Sequence, residues 1–208
     1  KPVRIEFETG VSKSLNQASG IRIMFDETHG IYVNTAELIV LEKEIDIFSI
    51  EFTKNKNDYS IVFTGKNNVG LTSVPMPVWF ILPSRSNYAS VLVSYEGGTE
   101  NRGGQFDKKR GTIEFSVTHS GNYEVVEDDI TINDIDSVSF SANEAIRFLV
   151  SKGILEVDRN KHFYPEASFS KYEFTKALVK MFYAENDKAS EIAFLCNSSY
   201  LIPFLMLF

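Results

Sequence analysis

Three histidines, one cysteine and 28 carboxylates are the groups from which a reactive centre could be assembled in this chain. His29, His119 and His162 fall on different expected elements, and no two are spaced as metal ligands on one helix or turn. Each reads as an ordinary turn or strand residue. The run from Asp158 to His162 opens like a calcium loop, whose sixth position needs glycine for a sharp turn and whose twelfth needs a bidentate glutamate. Phe163 and Phe169 stand at those places, so no metal site is expected. Gly97-Gly98 and Gly103-Gly104 flank a polar hairpin tip and feed no helix, unlike a phosphate-cradling loop. No G-x-S-x-G elbow occurs, and Cys196 has no histidine near it in sequence. Paired carboxylates for glycoside hydrolysis could be drawn from so many acids, but none sits in a recognisable setting. The chain is therefore expected to be non-catalytic and to use no cofactor.

The elements that position these residues fall into two kinds. From Val3 to Glu127 apolar and polar side chains alternate, the period of a strand with one face buried. The runs are Val3-Ile5-Phe7, Ile21-Ile23-Phe25, Ile45 to Phe52, Tyr59-Ile61-Phe63, Val78 to Leu82, Val91-Val93-Tyr95, Ile113-Phe115-Val117 and Tyr123-Val125. About eight strands separated by turn-rich segments such as Lys66-Asn67-Asn68 and Asp107 to Gly111 predict an antiparallel β-sandwich. One short helix over 36–41, capped by Asn34 or Thr35 with Glu37 in its first turn, is expected to plug an end of it.

Beyond Glu127 the period changes. Ser141 with Glu144 and Ser170 with Glu173 both fit the S/T-x-x-E capping box, in which hydroxyl and carboxylate satisfy amides left unpaired by the first helical turn. Ala145, Ile146, Leu149 and Val150 give the first helix an apolar face, with Gly153 placed as its left-handed terminus. Phe174, Ala177, Leu178 and Met181 give the second its face. The two are expected to pack on each other as a helix–loop–helix, closed by Ile154, Leu155, Phe163 and Phe169 from the loop.

The predicted organisation is a mainly β domain over 1–128, a small α-helical module over 129–187, and an apolar C-terminal tail over 188–208. The acidic stretch from Glu127 to Asp136 is the expected hinge, since its charges cannot all be buried. Three origins stay open for the tail: truncation or a shifted reading frame, a strand or helix docking on the helical module, or a membrane-seeking anchor. Its apolar end, Tyr200 to Phe208, is too short for a membrane span of roughly 20 residues. The chain begins at Lys1 with no signal-peptide pattern, and is read as a mature piece or an excised fragment. A single cysteine excludes an intrachain disulfide framework and leaves the compartment open.

Net charge is −7, with the helical segment nearly neutral and no basic stripe anywhere. Phosphate backbones are bound by clustered Lys and Arg, so a nucleic-acid partner is not expected.

The second part resembles a known family, the S-layer homology (SLH) module of bacterial cell-surface proteins. The residues that carry this, in order, are Ile132-Asn133-Asp134-Ile135, Phe140, Ala145-Ile146, Leu149, Gly153-Ile154-Leu155, Asn160 to Pro165, and Ser170-Lys171-Tyr172-Glu173-Phe174. They match the family's F-x-D-V, first-helix aromatic, A-I, L, G-I-I, D-G-x-F-x-P and T-R-A-E-F over residues 130–184. The β part is similar, more weakly, to domains that often precede such modules, through Thr118-His119-Ser120-Gly121-Asn122-Tyr123-Glu124-Val125 near its end.

The resemblance implies an extracellular protein of the Gram-positive cell wall or S-layer, held by its helical module to an anionic, pyruvylated secondary cell-wall polysaccharide. It assigns Lys171 to the basic position at a helix N-terminus, where amides add favourable potential for a carboxylate. Asp134 would accept hydrogen bonds from sugar hydroxyls, and Phe140 would supply an apolar wall. Glu173 is committed to its capping box. This copy departs from the pattern in having lysine for arginine, Tyr172 for alanine, and Glu156-Val157 where a glycine is usual. A second function class therefore stands beside anchoring: assembly with other surface-protein subunits, the single degenerate module only completing a fold.

Overall fold

The computed structural model describes residues 2–8, 10–15, 18–45, 48–56, 58–127 and 130–182. Ile47, Cys196 and the expected tail over 188–208 lie outside the described residues. The chain divides into two units, Lys1–Asp128 and Asp129–Phe208.

Alternation builds the first unit. Its elements are β1 (Val3–Phe7), α1 (Val11–Ser14), β2 (Gly20–Met24), β3 (Gly30–Asn34), α2 (Thr35–Glu44), β4 (Phe48–Lys54), β5 (Asp58–Thr64), β6 (Gly70–Leu71), β7 (Ser73–Pro83), β8 (Ser90–Tyr95), β9 (Gly98–Asn101), β10 (Gln105–Asp107), β11 (Thr112–His119) and β12 (Gly121–Val126). One sheet runs β1-β4-β5-β12-β8-β9, with β6 on β5, and the other runs β10-β11-β7-β3-β2. The pairings are antiparallel throughout, from Val3↔Phe52 at one side to Phe106↔Ile113 at the other.

Inward residues of both sheets share one core. Phe52 of β4 lies 5.5 Å from Tyr59 and 6.0 Å from Phe80 of the facing sheet, and Phe115 reaches back to Tyr123 at 5.8 Å. These ring spacings are those of favourable tilted and offset pairs. Helix α2 adds Leu38 and Leu41, both fully buried in the same core. It begins as its sequence demands: the Asn34 side chain accepts the Ala36 amide at 2.8 Å, and the Glu37 carboxylate accepts the Asn34 amide at 3.2 Å. It runs three residues beyond the expected end at Leu41.

Several elements differ from the sequence expectation. β3 buries Ile31 and Val33 but runs straight into the Asn34 cap, leaving no turn signal to mark it as a strand. β4 starts at Phe48 rather than Ile45. β9 and β10 are short, polar edge strands in place of the expected glycine-flanked turns. Pro75 and Pro77 lie within β7, where the ladder to β11 shifts register between Val117 and His119. Missing amides are tolerated there because the pairing is already interrupted.

In the second unit, α3 (Phe140–Ser151) and α4 (Lys171–Phe182) are joined by a turn-rich connection. The expected start of α3 at Ser141 is corrected: Ser139 is the N-cap, its hydroxyl accepting from the Ala142 amide at 3.4 Å. The end of α3 is as the sequence required. Gly153 adopts φ 70°, and the amides of Gly153 and Ile154 return to the carbonyls of Val150 and Leu149 at 3.0 and 2.9 Å. This is the paired closure of a Schellman motif. Gly153→Ala is expected to destabilise this unit by about 1–2 kcal/mol, the penalty for a Cβ in the left-handed region, read as faster hydrogen exchange of the last-turn amides of α3.

The core of this unit is also corrected. Ile132, Ile135 and Val150 are buried, with Ile130, Val138, Ile146, Leu155, Val157 and Phe163 packed on them. The segment expected to be a hinge thus supplies core from Ile130 onward. Arg147 reaches back to the Ile130 carbonyl at 3.3 Å, and the Asn143 amide donates to that of Ile135 at 3.0 Å. Phe169, expected in the core, is 53% exposed, and Phe174 and Met181 of the α4 face are 55% and 51% exposed. Among the described side chains of α4, Ala177 and Val179 are buried. Helix α4 is tied instead by charge: Lys176 and Lys180 both donate to Glu156 at 3.0 Å, and Lys180 also to the Gly153 carbonyl at 2.9 Å.

Candidate ligand-binding site

The second capping box places Lys171. The Ser170 hydroxyl accepts the Glu173 amide at 3.1 Å, and the Glu173 carboxylate accepts the Ser170 amide at 2.8 Å. The Ser170 hydroxyl first, and then the Ser170 amide, hold the Glu173 carboxyl below the usual carboxylate range. Lys171 is therefore the first helical residue of α4, exposed, with no hydrogen-bonded or ionic partner for its ammonium among the described residues. Amides of a first helical turn lack intrahelical acceptors, so cation and helix dipole favour the same ligand, an anion.

Asp134 is placed by the connection between the helices. Its two carboxylate oxygens accept the amides of Phe163 and Tyr164 at 2.8 and 2.7 Å. Burial pushes its pKa up, but the two amides outweigh this and hold it below the ordinary value of 3.8. The carboxylate assigned to a sugar hydroxyl is thus also the clamp of the connecting loop. Next to it, Asn133 donates to the Asn160 carbonyl at 2.8 Å and its amide to that of Lys161 at 2.9 Å. Phe140, the first residue of α3, is 82% exposed. No hydrogen bond, ion pair or ring contact joins Lys171, Asp134 and Phe140 to one another among the described residues.

Tyr164 and Asp158 escaped the sequence reading. Asp158, the first residue of the rejected calcium loop, accepts the amides of Asn160 and His162 at 2.8 Å with one oxygen and the Tyr164 phenol at 2.8 Å with the other. Its carboxyl is held low, first by the His162 amide. Tyr164 has φ 58°, a left-handed conformation that costs a bulky residue about 1–2 kcal/mol, and it precedes Pro165, which disfavours helical backbone before it. The available signal was the six-residue spacing of an aspartate and a tyrosine around a turn, which only the bonds to Asp134 and Asp158 make meaningful. Lys152 was also missed. It is 9% exposed, its ammonium 5.5 Å from the Phe148 ring, and burial pushes its pKa down to about 8.

Two polar groupings in the β unit are internal ties. The hairpin between β2 and β3 turns on Asp26, whose carboxylate accepts the amides of Thr28 and His29 and meets the His29 ring. The other ring nitrogen lies 3.4 Å from the Tyr59 hydroxyl on the facing sheet. Between β9 and β10 the chain crosses from one sheet to the other through Arg102-Gly103-Gly104. The Arg102 side chain is fully buried, 3.1 Å from the Glu100 carboxylate, and donates to Thr118 and to His119 Nδ1 at 3.3 and 3.0 Å. His119 stacks on Tyr95 at 4.7 Å, and its carbonyl accepts the Tyr123 phenol. Gly104 at φ 112° is required, since a Cβ there would meet Ile113 at 2.7 Å.

Among the described residues no three His, Cys, Asp or Glu side chains gather as a metal site, and no helix is long and apolar enough to cross a membrane.

No family model matches the chain, and no solved structure matches it. Over 129 residues it is 28% identical to an amylopullulanase of Thermoanaerobacterium thermosulfurigenes. That stretch is 60% of this chain and 7% of the amylopullulanase. A catalytic activity of the whole relative is therefore not carried over to Lys171, Asp134, Phe140 or Tyr164 by the match.

Proposed function

We infer that this chain is a non-catalytic piece of a bacterial cell-surface protein, anchored outside the cell by its helical unit. In this reading that unit is an SLH-like module holding an anionic secondary cell-wall polysaccharide, and the β unit is a sandwich that spaces or presents what lies upstream. The observation that carries it is the exposed ammonium of Lys171 at the head of α4, without a partner among the described residues, in a chain otherwise rich in acids. A pyruvate ketal carboxylate wants a cation and donors, and here Lys171 supplies the cation while first-turn amides that the capping box does not use supply donors. A relative named as an amylopullulanase also fits a chain working among polysaccharides, and the shared stretch is domain-sized.

The test is co-sedimentation with purified Gram-positive wall fragments, before and after chemical removal of their secondary polymers. Pelleting should vanish when the polymer is removed and weaken roughly ten- to a hundredfold for Lys171→Ala, the loss of one charge-assisted contact. A folded sample that ignores intact fragments would end this reading.

A second reading has its own observation. Phe140, Phe169, Phe174 and Met181 leave large apolar surfaces exposed on the helical unit, and such surfaces mark contacts with other proteins. Assembly with other surface-protein subunits then becomes the task. It predicts concentration-dependent association by light scattering, indifferent to Lys171→Ala.

A further inference from the structure

Rigidity, exposure and backbone strain coincide at Tyr164. The residue is 54% exposed, yet it is fixed at three points: its amide on Asp134, its phenol on Asp158, and its ring 5.7 Å from that of His162. Its left-handed φ of 58° is held against the preference of both the residue and the following proline. Strained conformations persist where the surroundings over-determine them, and they cluster at binding sites. An exposed tyrosine that merely covered surface would need none of these bonds. One whose rotamer is already fixed loses little freedom when a ligand lies against it.

The surroundings select the ligand. Two carboxylates lie beside the residue, Asp134 at its amide and Asp158 at its phenol, and both are ionised at neutral pH, as carboxyls with an ordinary value of 3.8 are before any lowering. An anionic group is disfavoured beside them, whereas carboxylate oxygens accept hydroxyls readily. A single fixed ring is a flat platform, suited to the C–H face of a pyranose rather than to an apolar peptide side chain, which needs a groove.

Resting on the wall-polymer reading, we propose that Tyr164 is the stacking platform for a neutral sugar ring of the bound polysaccharide, leaving its anionic substituent to Lys171. The two residues then divide the ligand by chemistry. Tyr164 reads the sugar, and Lys171 reads the charge.

The experiment is wall-fragment co-sedimentation with three variants, on fragments with the ketal intact and on fragments stripped of it by mild acid. Tyr164→Gly accepts the left-handed backbone and so preserves the loop, which retention of the thermal midpoint checks, but removes the ring. On intact fragments it should weaken binding about tenfold. Tyr164→Phe, which loses only the phenol anchor, should stay within about threefold. On ketal-free fragments Lys171→Ala should no longer matter, while Tyr164→Gly should still weaken binding. If wild-type chain pellets and Tyr164→Gly pellets equally well, the platform is wrong and the anchoring reading survives. If folded wild-type chain does not pellet on intact fragments, both fall together.

Discussion

Arg102→Ala is expected to destabilise the β unit by about 3–5 kcal/mol, the usual result of stripping one partner from a buried ion pair. The guanidinium is fully buried and 3.1 Å from Glu100, whose side chain is 26% exposed. Removing it takes the cation from that carboxylate and a donor from Thr118 and His119 Nδ1, which also lie 3.0 Å from each other. The contrast is the surface pair of Arg22 and Glu114, 36% and 32% exposed at 3.3 Å, whose loss should cost under about 1 kcal/mol because water screens and replaces it. Trp79 of β7 is the chain's single tryptophan, so its fluorescence in urea reports on this unit. The Arg102→Ala midpoint should fall by on the order of 1–2 M. Replacing Arg102 and Glu100 together by methionine should recover much of the loss, since an apolar pair leaves no uncompensated charge. A midpoint shift for Arg102→Ala as small as that for Arg22→Ala would mean the buried pair carries little of the fold.

The helical unit should lose stability as pH falls below about 4.5. Four of its carboxylates are held low. Glu156 is lowered first by its bonds to Lys180 and Lys176, Asp158 by the His162 amide, and Glu173 by the Ser170 hydroxyl and amide; Asp134 is lowered by the Phe163 and Tyr164 amides against an opposing effect of burial. A carboxyl depressed in the folded state stabilises it fully above its unfolded value, 3.8 for Asp and 4.5 for Glu. The contribution disappears as pH drops through the folded value. Lys152 acts at the other end of the scale. Its ammonium titrates near 8 when folded against 10.5 when free, so the unfolded chain holds the extra proton and stability should rise across that interval. Hydrogen exchange of the Phe163 and Tyr164 amides, corrected for intrinsic rates, should reveal the acid loss, Asp134 being their acceptor. Equal protection at pH 3 and pH 7 would show that these carboxylates do not hold the loop.

Local chemistry was legible where one or two neighbouring residues decide the outcome. Ser170 and Glu173, Asn34 and Glu37, and Gly153 do what their types and spacing require. Strands with alternating apolar residues were readable because one face must be buried. β9 and β10 were not, since edge strands built from Gly98-Thr99-Glu100-Asn101 and Gln105-Phe106-Asp107 bury little and look like turn. The start of α3 was misread because Ser139 and Ser141 are equally good caps, and the choice between them is tertiary. Of the apolar stripe from Phe174 to Met181, Ala177 is buried as expected but Phe174 and Met181 are exposed: periodicity says that a helix has a greasy face, not what covers it. At the candidate site the placement of Lys171 followed from its cap. Tyr164 could not be found that way, because its conformation opposes local preference and is held by Asp158 and by Asp134, the latter thirty residues earlier.

The crossing at Arg102-Gly103-Gly104 also settles which strand edges the two sheets leave outermost. By leading β9 of one sheet directly into β10 of the other, it bridges that side of the structure with a covalent link. The outer strands at the other end, β1 and β2, are likewise consecutive, joined through α1, and an outer strand is where a foreign strand could add and begin a growing ladder. The exposed side chains there include Arg4, Glu6 and Arg22, charged groups of the kind that blunt an exposed edge. Burying those charges under an added strand would cost solvation, which disfavours edge-to-edge growth of the sheets.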